Sequence, residues 1–432
     1  MKRYPSYKES GVEWIGEIPI GWNLKKLKEL FENRNEKNED LCEDFLSITK
    51  DRGVIPYSEK GNVGNKTSDD IGKYKKVYPE DIVVNPMNII IGSVGVSKYN
   101  GVLSNIYIVL KPIKILSGYG SYIFHHKSFQ LHLKKICYGI MELRESLNKI
   151  EFFIEKLPLP PLSEQTQIVS YLDRKTEGID KLIQTKERKI ELLKEYRTSL
   201  ISKVVTKGLN PNVKMKDSGV EWIGEIPNYY QIGKLKNLCK ENQRNLSNST
   251  DPNYELQYIE ISDVNSEGII NNSTPYIFSE SPSRCRRIVQ KGDVIVSTVR
   301  TYLKSIGLIE EEVKDLICST GFSVLTPNIE INPKYLFYLL RTEWFISMVI
   351  SKSEGVSYPS IQSEKLMNIE VVFCKLSEQH EIVSYLDEQT QLIDKNIQTE
   401  ERKIELLKEY RQSLISEVVT GKIKVSNDEE VH

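Results

Sequence analysis

Residues able to do chemistry are sparse in this chain. Asn85-Pro86-Met87-Asn88 opens like the Asn-Pro-Pro-aromatic element with which amino-methyltransferases hold a target base. It lacks the second proline and the aromatic, and the second half of the chain reads Ser297-Thr298-Val299-Arg300 at that place. His125 and His126 are adjacent but have no companion carboxylate, and the aligned positions of the second half read as Tyr338 and Leu339. His380 is matched by Thr166. Gly61, Gly64, Gly92 and Gly95 fit neither a phosphate loop nor a dinucleotide fingerprint. Cys42, Cys137, Cys239, Cys285, Cys318 and Cys374 form no C-x-x-C pair, which argues against a zinc site or a disulfide framework and suits a reducing compartment. No catalytic residue and no metal ligand is assigned, and the chain reads as non-catalytic.

What remains is the chemistry of recognition. The formal charge is only −1, yet the distribution is uneven. Gly101–Ile150 holds seven Lys/Arg against two acidic residues. Ser281–Ser305 holds six (Arg284, Arg286, Arg287, Lys291, Arg300 and Lys304) against one. Basic side chains interleaved with tyrosines and amides suit phosphate contacts combined with hydrogen bonds to base edges.

The elements that carry these residues are duplicated. SGVEWIGEIP occurs at Ser10–Pro19 and again, unchanged, at Ser218–Pro227. A longer repeat begins LSEQ at Leu162 and at Leu376. It is rich in Glu, Lys, Leu and Ile and free of proline, so a long helix is expected from each copy, with Ser163 and Ser377 as N-caps. Apolar residues fall at Ile179, Ile183, Ile190, Leu193, Leu200 and Val204, and at Ile393, Ile397, Ile404, Leu407, Leu414 and Val418. Steps of three, four and seven mark a coiled-coil seam, interrupted by Lys186 and Arg197 in one copy and Glu400 and Arg411 in the other. Two identical seams are expected to pack on each other, each helix spanning about 65 Å. The charged outer faces are repeated as well, which reads as a docking surface used twice.

Between the repeats lie two variable blocks with a faint common frame. YPEDIVVNPMNIIIGSVGV aligns with QKGDVIVSTVRTYLKSIGL, placing a short apolar strand after Asp81 and after Asp293, and Asn85 and Asn88 opposite Ser297 and Arg300. YIFHHK from Tyr122 is matched with YLFYLLR from Tyr335 as an aromatic amphipathic helix. Because the middle of the chain runs long repeat then short repeat, joining the two termini would recreate it. The termini are therefore expected to lie together, with a pseudo-two-fold relation between halves.

SGVEWIGEIP, PLPPLSEQTQIVSYLD and KLIQTKERKIELLKEYRTSLISKVVTKG, with their second copies, closely resemble the specificity subunit of Type I restriction–modification enzymes (the HsdS family), over essentially the whole chain. The resemblance implies an α+β fold: two globular α/β target recognition domains joined by a pair of long antiparallel coiled-coil helices with pseudo-two-fold symmetry. The implied domains are a distal conserved segment (1–19), recognition domain 1 (20–160), a central conserved region (161–227), recognition domain 2 (228–374) and a C-terminal conserved region (375–432). Each recognition domain would read one half of a bipartite DNA target, and the helices would set the spacer. Implied partners are double-stranded DNA, two methyltransferase (modification) subunits and motor–nuclease (restriction) subunits. S-adenosylmethionine and ATP/Mg belong to those partners, and no cofactor is expected in this chain. Carried over by position, the DNA-binding residues are Asn85, Asn88, Lys98 and Arg144 in the first block. In the second they are Ser297, Arg300, Tyr302, Lys304, Tyr358 and Ser360. No apolar run reaches the roughly 18 residues of a membrane helix and the start lacks a signal-peptide core, so a cytoplasmic location is expected. The rival from another class is a non-catalytic coiled-coil scaffold whose end domains bind protein; it has no need of basic clusters in the variable blocks.

Overall fold

The computed structural model describes residues 3–50, 52–61, 70–139, 145–355 and 357–425. The chain divides into two compact units, Met1–Lys186 with Arg402–His432, and Glu187–Glu401. Each unit holds one variable block and a stretch of each long helix.

The long helices run Leu162–Lys207 and Leu376–Val419. Neither begins at its serine. In the first, the Pro161 carbonyl accepts the Glu164 and Gln165 N–H groups; in the second, the Lys375 carbonyl accepts the Gln379 N–H. Ser163 and Ser377 thus sit inside the first turn, and the N-cap expectation is corrected to Pro161 and Lys375. Both helices stop at a glycine in the left-handed region, Gly208 (φ 71°) and Gly421 (φ 72°), where a side chain would be strained.

Inside each unit the two helical stretches are antiparallel. In the second unit Lys189 pairs with Glu400 (2.9 Å) and Arg197 with Asp394 (3.4 Å), so residue numbers fall on one helix as they rise on the other. In the first unit Arg411 pairs with Asp180 (3.0 Å), the repeat counterpart of the Arg197–Asp394 pair. All twelve seam residues are buried or half-buried. Burial of an Ile or Leu side chain contributes about 1.5–3 kcal/mol, against up to about 1 kcal/mol for a partly exposed ion pair. The apolar seam therefore supplies the stability, and the ion pairs select the register.

The variable blocks share a four-stranded antiparallel sheet. In the first unit it comprises β1 (Phe31–Asn33), β2 (Ile82–Val84), β3 (Val94–Val96) and β4 (Ile108–Pro112), in the order β1-β4-β2-β3. In the second, β5 (Cys239–Glu241), β6 (Val294–Ser297), β7 (Ile306–Leu308) and β8 (Phe322–Pro327) are ordered β5-β8-β6-β7. The aligned apolar triplets are the central strands β2 and β6, and both are fully buried. The aspartates before them are sealed in. Asp81 accepts Arg34 Nε (2.8 Å) and Nη2 (3.2 Å) and the Tyr78 N–H (2.9 Å). Asp293 accepts Arg244, the Thr326 hydroxyl (2.7 Å) and the Gln290 N–H (2.8 Å). A buried carboxylate needs this many donors to offset its desolvation.

The aromatic helices are α1 (Ser117–Phe124) and α2 (Pro333–Leu340). Here the sequence alignment is one turn out of step. Tyr122 donates to Asp173 (2.6 Å) and lies 3.4 Å from Thr176 Oγ1; Tyr338 donates to Asp387 at the same 2.6 Å and lies 3.4 Å from Thr390 Oγ1. Tyr122 is therefore the counterpart of Tyr338, and Tyr119 that of Tyr335. The counterparts of His125 and His126 become Arg341 and Thr342 rather than Tyr338 and Leu339. Aromatic residues at three-residue spacing make the two registers look alike in sequence.

The glutamine of LSEQ gives that motif its structural purpose. Gln165 Oε1 accepts the Leu116 N–H at the head of α1 (2.9 Å), and its Nε2 donates to the Pro160 carbonyl (2.9 Å). Gln379 accepts the Asn332 N–H (2.8 Å) and donates to the Cys374 (2.8 Å) and Glu330 (3.0 Å) carbonyls. Both are buried. Each variable block is thereby hydrogen-bonded to the first turn of the helix that follows it, whether or not prolines precede that helix.

The short repeat forms a hairpin in each unit, Tyr7–Glu9 with Glu17–Pro19 and Met215–Asp217 with Glu225–Pro227. In the first unit this hairpin meets the end of the second long helix: Tyr7 Oη donates to the Lys422 carbonyl (3.2 Å), and Lys424 Nζ lies 6.0 Å from the Tyr4 ring centroid. The ends of the described chain lie together, as the order of repeats implies.

Gln379→Ala leaves a backbone N–H and two carbonyls without partners and is expected to cost about 2–4 kcal/mol. Ser377→Ala, at a position that caps nothing, should stay within about 0.5 kcal/mol. Denaturant unfolding of the two variants checks both values.

Candidate nucleic-acid interface

In the second unit the chain leaves β6 at Ser297 and turns through Thr298–Lys304. Arg300 (φ 51°, ψ 48°) and Lys304 (φ 56°, ψ 30°) bracket the single turn Thr301–Leu303, both in the left-handed region. For residues with a Cβ this costs on the order of 1–2 kcal/mol each, so neighbours must hold the loop. The Arg300 N–H donates to the Pro359 carbonyl (2.7 Å), Ile361 N–H to the Thr298 carbonyl (2.9 Å), and Thr301 Oγ1 lies 2.9 Å from Ser353 Oγ. Glu354 and Ser360 exchange backbone hydrogen bonds of 2.8 and 2.9 Å, closing a small hairpin whose tip carries Tyr358. The Arg300 guanidinium lies over the Tyr358 ring, 4.9 Å from its centroid. Tyr302 is 52% and Tyr358 66% exposed, and the side chains of Arg300 and Lys304 face solvent. Neither cation forms an ion pair among the described residues.

Four of the six sequence-chosen residues of this block, Arg300, Tyr302, Lys304 and Tyr358, thus come together. Ser360 is half-buried and contributes backbone pairing. Ser297, at 4% exposure, turns inward: its Oγ donates to the Val299 carbonyl (2.6 Å), which makes it part of the loop's frame.

The first unit repeats the frame with other side chains. After β2, the loop Asn85–Ser93 meets the following hairpin through the Leu147 N–H donated to the Pro86 carbonyl (2.9 Å), the counterpart of Ile361 to Thr298. Asn85, at 8% exposure, accepts the Met87 N–H with its Oδ1 (3.1 Å). Like Ser297, it faces inward and holds the turn. Asn88 is exposed, and its side chain makes no cap hydrogen bond at the turn Ile89–Ile91. Ile91 is exposed beside it. Lys98 is exposed on the connection after β3, outside this loop, and Arg144 lies outside the described residues.

The basic clusters counted in sequence are partly engaged by other groups of the chain. Arg287 donates to Asn245 (2.9 Å), Arg286 lies over Phe278 (4.8 Å), Lys111 pairs with Glu32 (3.3 Å) and Lys135 with Glu13 (2.7 Å). Sequence reading passed over Leu303 and Ile91, exposed apolar tips of the two loops; the signal for them is their place in the turn after each aspartate-led strand.

The adjacent histidines are structural. His126 Nε2 bonds Ser416 Oγ (2.7 Å) while Nδ1 accepts the Phe129 N–H (3.2 Å). Burial pushes its pKa down to about 4 and lowers that of His125 also. Among the described residues no group of His, Cys, Asp and Glu is placed to hold a metal ion, and no helix is long and apolar enough to cross a membrane.

Two copies of one α+β frame, each presenting a loop of different polar side chains and each built onto long antiparallel helices, define a duplicated recognition protein. The sequence model of the Type I restriction modification DNA specificity domain matches residues 19–192 and 227–409. The chain belongs to this family, and its role is that of the specificity subunit of a type I restriction–modification system. Among similar proteins, the MjaVIII specificity subunit of Methanocaldococcus jannaschii is 26% identical over 82% of this chain and 83% of its own length. A putative MjaX specificity subunit of the same organism is 26% identical over 97% and 98%. A chain from a solved type I R-M system, studied for its complex assembly and conformational transition, shares the fold with a TM-score of 0.71 at 15% identity, over 94% of this chain and 99% of that one. The HsdS subunit of Thermoanaerobacter tengcongensis gives 0.54 at 15% identity, over 96% and 100%.

Lys304→Gly relieves a left-handed backbone and is expected to leave the melting temperature unchanged or raise it, while weakening DNA binding in a filter or fluorescence assay. A second expectation concerns acid. The folded pKa of His126 lies below the ordinary 6.5, so the unfolded chain binds the proton first. Its contribution to stability is complete above about pH 6.5 and is lost as pH falls from there toward about 4. Hydrogen exchange at pH 7 and pH 5 should show the first unit loosening, and His126→Gln should flatten that dependence.

Proposed function

We infer that each unit reads one half of a bipartite DNA target with the loop after its central strand, and that the long helices set the spacer and dock the methyltransferase subunits. The observation that carries this reading is the pair of loops: the same strand exit, the same backbone junction to a hairpin, and different exposed side chains at the tip. A frame held constant while the exposed groups change is what reading two different sequences requires. Arg300, Tyr302, Lys304 and Tyr358 in one unit, and Asn88 with Lys98 in the other, are the proposed contacts.

Docking is supported by a feature of the helices' outer faces. Leu192 and Tyr196 are exposed in one repeat, and their counterparts Leu406 and Tyr410 are exposed in the other. Exposed apolar pairs repeated in both copies suit two copies of one partner. On this reading the chain itself is non-catalytic and carries no cofactor. The modification subunits use S-adenosylmethionine, the motor–nuclease subunits use ATP and Mg, and the complex works in the cytoplasm.

Mapping methylated adenines in the host genome with and without this gene tests the reading. Loss of one two-part motif is the expected result; an unchanged methylation pattern rejects it. A seven-residue repeat inserted at matched points of both long helices should lengthen the tolerated spacer by about 10 Å, roughly three base pairs, and leave the half-sites as they were. The protein-binding scaffold is distinguished by DNA affinity that is absent or insensitive to salt.

A further inference from the structure

Building on the reading above, the chemistry of the two loop tips assigns each unit a kind of base. We propose that the second unit reads a guanine through Arg300, and that the first reads an A·T pair through Asn88 and Ile91.

The argument for Arg300 begins with what its side chain can offer. A guanidinium presents only donors, in a planar fork, and the major-groove edge of guanine presents two acceptors side by side. An adenine or cytosine edge places a donor against it. In most settings an exposed arginine is too mobile for such discrimination, but three features restrict this one. Its backbone is locked in the left-handed region. Its N–H is tied to the Pro359 carbonyl at 2.7 Å. Its guanidinium rests over Tyr358 at 4.9 Å and forms no ion pair among the described residues. Tyr358 is thus a positioning residue: it holds the fork and leaves the charge unpaired. Lys304 closes the same turn, and its compact charge on a flexible stem suits a phosphate, with no fork to read a base.

At the corresponding strand exit of the first unit, the loop Asn85–Ser93 contains no Lys or Arg. Asn88 presents an exposed amide, a donor and an acceptor together, which is the complement of the adenine edge. Ile91, half exposed at the end of the same turn, offers an apolar contact of the kind that takes a thymine methyl group. Asn85 is only 8% exposed and accepts the Met87 N–H at 3.1 Å, so the proposal rests on Asn88.

The test uses the full chain assembled with its modification subunits, with methylated adenines mapped across a genome. Arg300→Gly keeps the left-handed backbone and removes the fork. Expected is that one guanine position, in one half of the motif, becomes tolerant of other bases, the preference for guanine falling about 5- to 150-fold. Asn88→Ala should relax an A·T position in the other half. Tyr358→Ala should reduce the same guanine preference as Arg300→Gly, and Tyr358→Phe, which retains the ring, should restore it. If Arg300→Gly does not fold, Arg300→Lys keeps the charge without the fork and is expected to relax the same position. The assignment is overturned if the relaxed base is not guanine, if both variants act on one half-site, or if Arg300→Gly lowers methylation evenly over all sequences. A wild-type complex that marks no two-part motif rejects the underlying reading, whereas an intact motif that ignores these variants rejects only the base assignment.

Discussion

A glutamine amide shut away from water in the first turn of each long helix has to satisfy hydrogen-bonding groups that belong to the variable block. Gln165 and Gln379 answer a helix N–H that has no partner within its own helix, and carbonyls in the strand exit before the long helix. The penalty for leaving these groups bare exceeds the net gain of any one of the bonds, so block and helix cannot separate without exposing them. Tyr122 or Tyr338 repeats the tie to an aspartate about two turns further along the long helix. Everything variable is built on this attachment.

The attachment separates two kinds of residue. Those that face inward, Asn85, Ser297 and the aspartates before β2 and β6, are engaged in holding backbone or a half-buried arginine. Those that face outward are Asn88 in one unit and, in the other, Arg300 and Lys304, neither of which forms an ion pair among the described residues. Partly exposed ion pairs contribute little beside a buried apolar seam, so the outward groups can change with small effect on folding. The exposed groups and the groups that hold the backbone are thus different atoms of the same short loop.

Much of the fold was legible in the sequence, for physical reasons. The seam shows because apolar residues at heptad spacing line one stripe of a helix, and all twelve of them are indeed withdrawn from solvent. The strands after Asp81 and Asp293 show because their apolar triplets are central in a sheet. The register of α1 against α2 did not show, since Tyr119, Tyr122, Tyr335 and Tyr338 allow alignment one turn apart. The inward turn of Asn85 and Ser297 did not show either, because a polar residue at a strand exit reads the same whether it serves backbone or solvent. Identical sequence can even have different surroundings. Trp14 packs against His126 and Phe129, while Trp222, in the same decapeptide, is 53% exposed. Thr342 stands where the first unit has His126, so the difference originates in the variable block.

The handedness of the loop after β6 has a consequence for how such a protein can diversify. Only glycine, and to a lesser degree asparagine or aspartate, sits in a left-handed backbone without strain. Any other occupant of positions 300 and 304 is retained against that bias. Glycine or an amide side chain there relieves the backbone, whereas a β-branched one strains it further. Chirality thus limits which side chains this loop tip can carry without strain, whatever the tip meets.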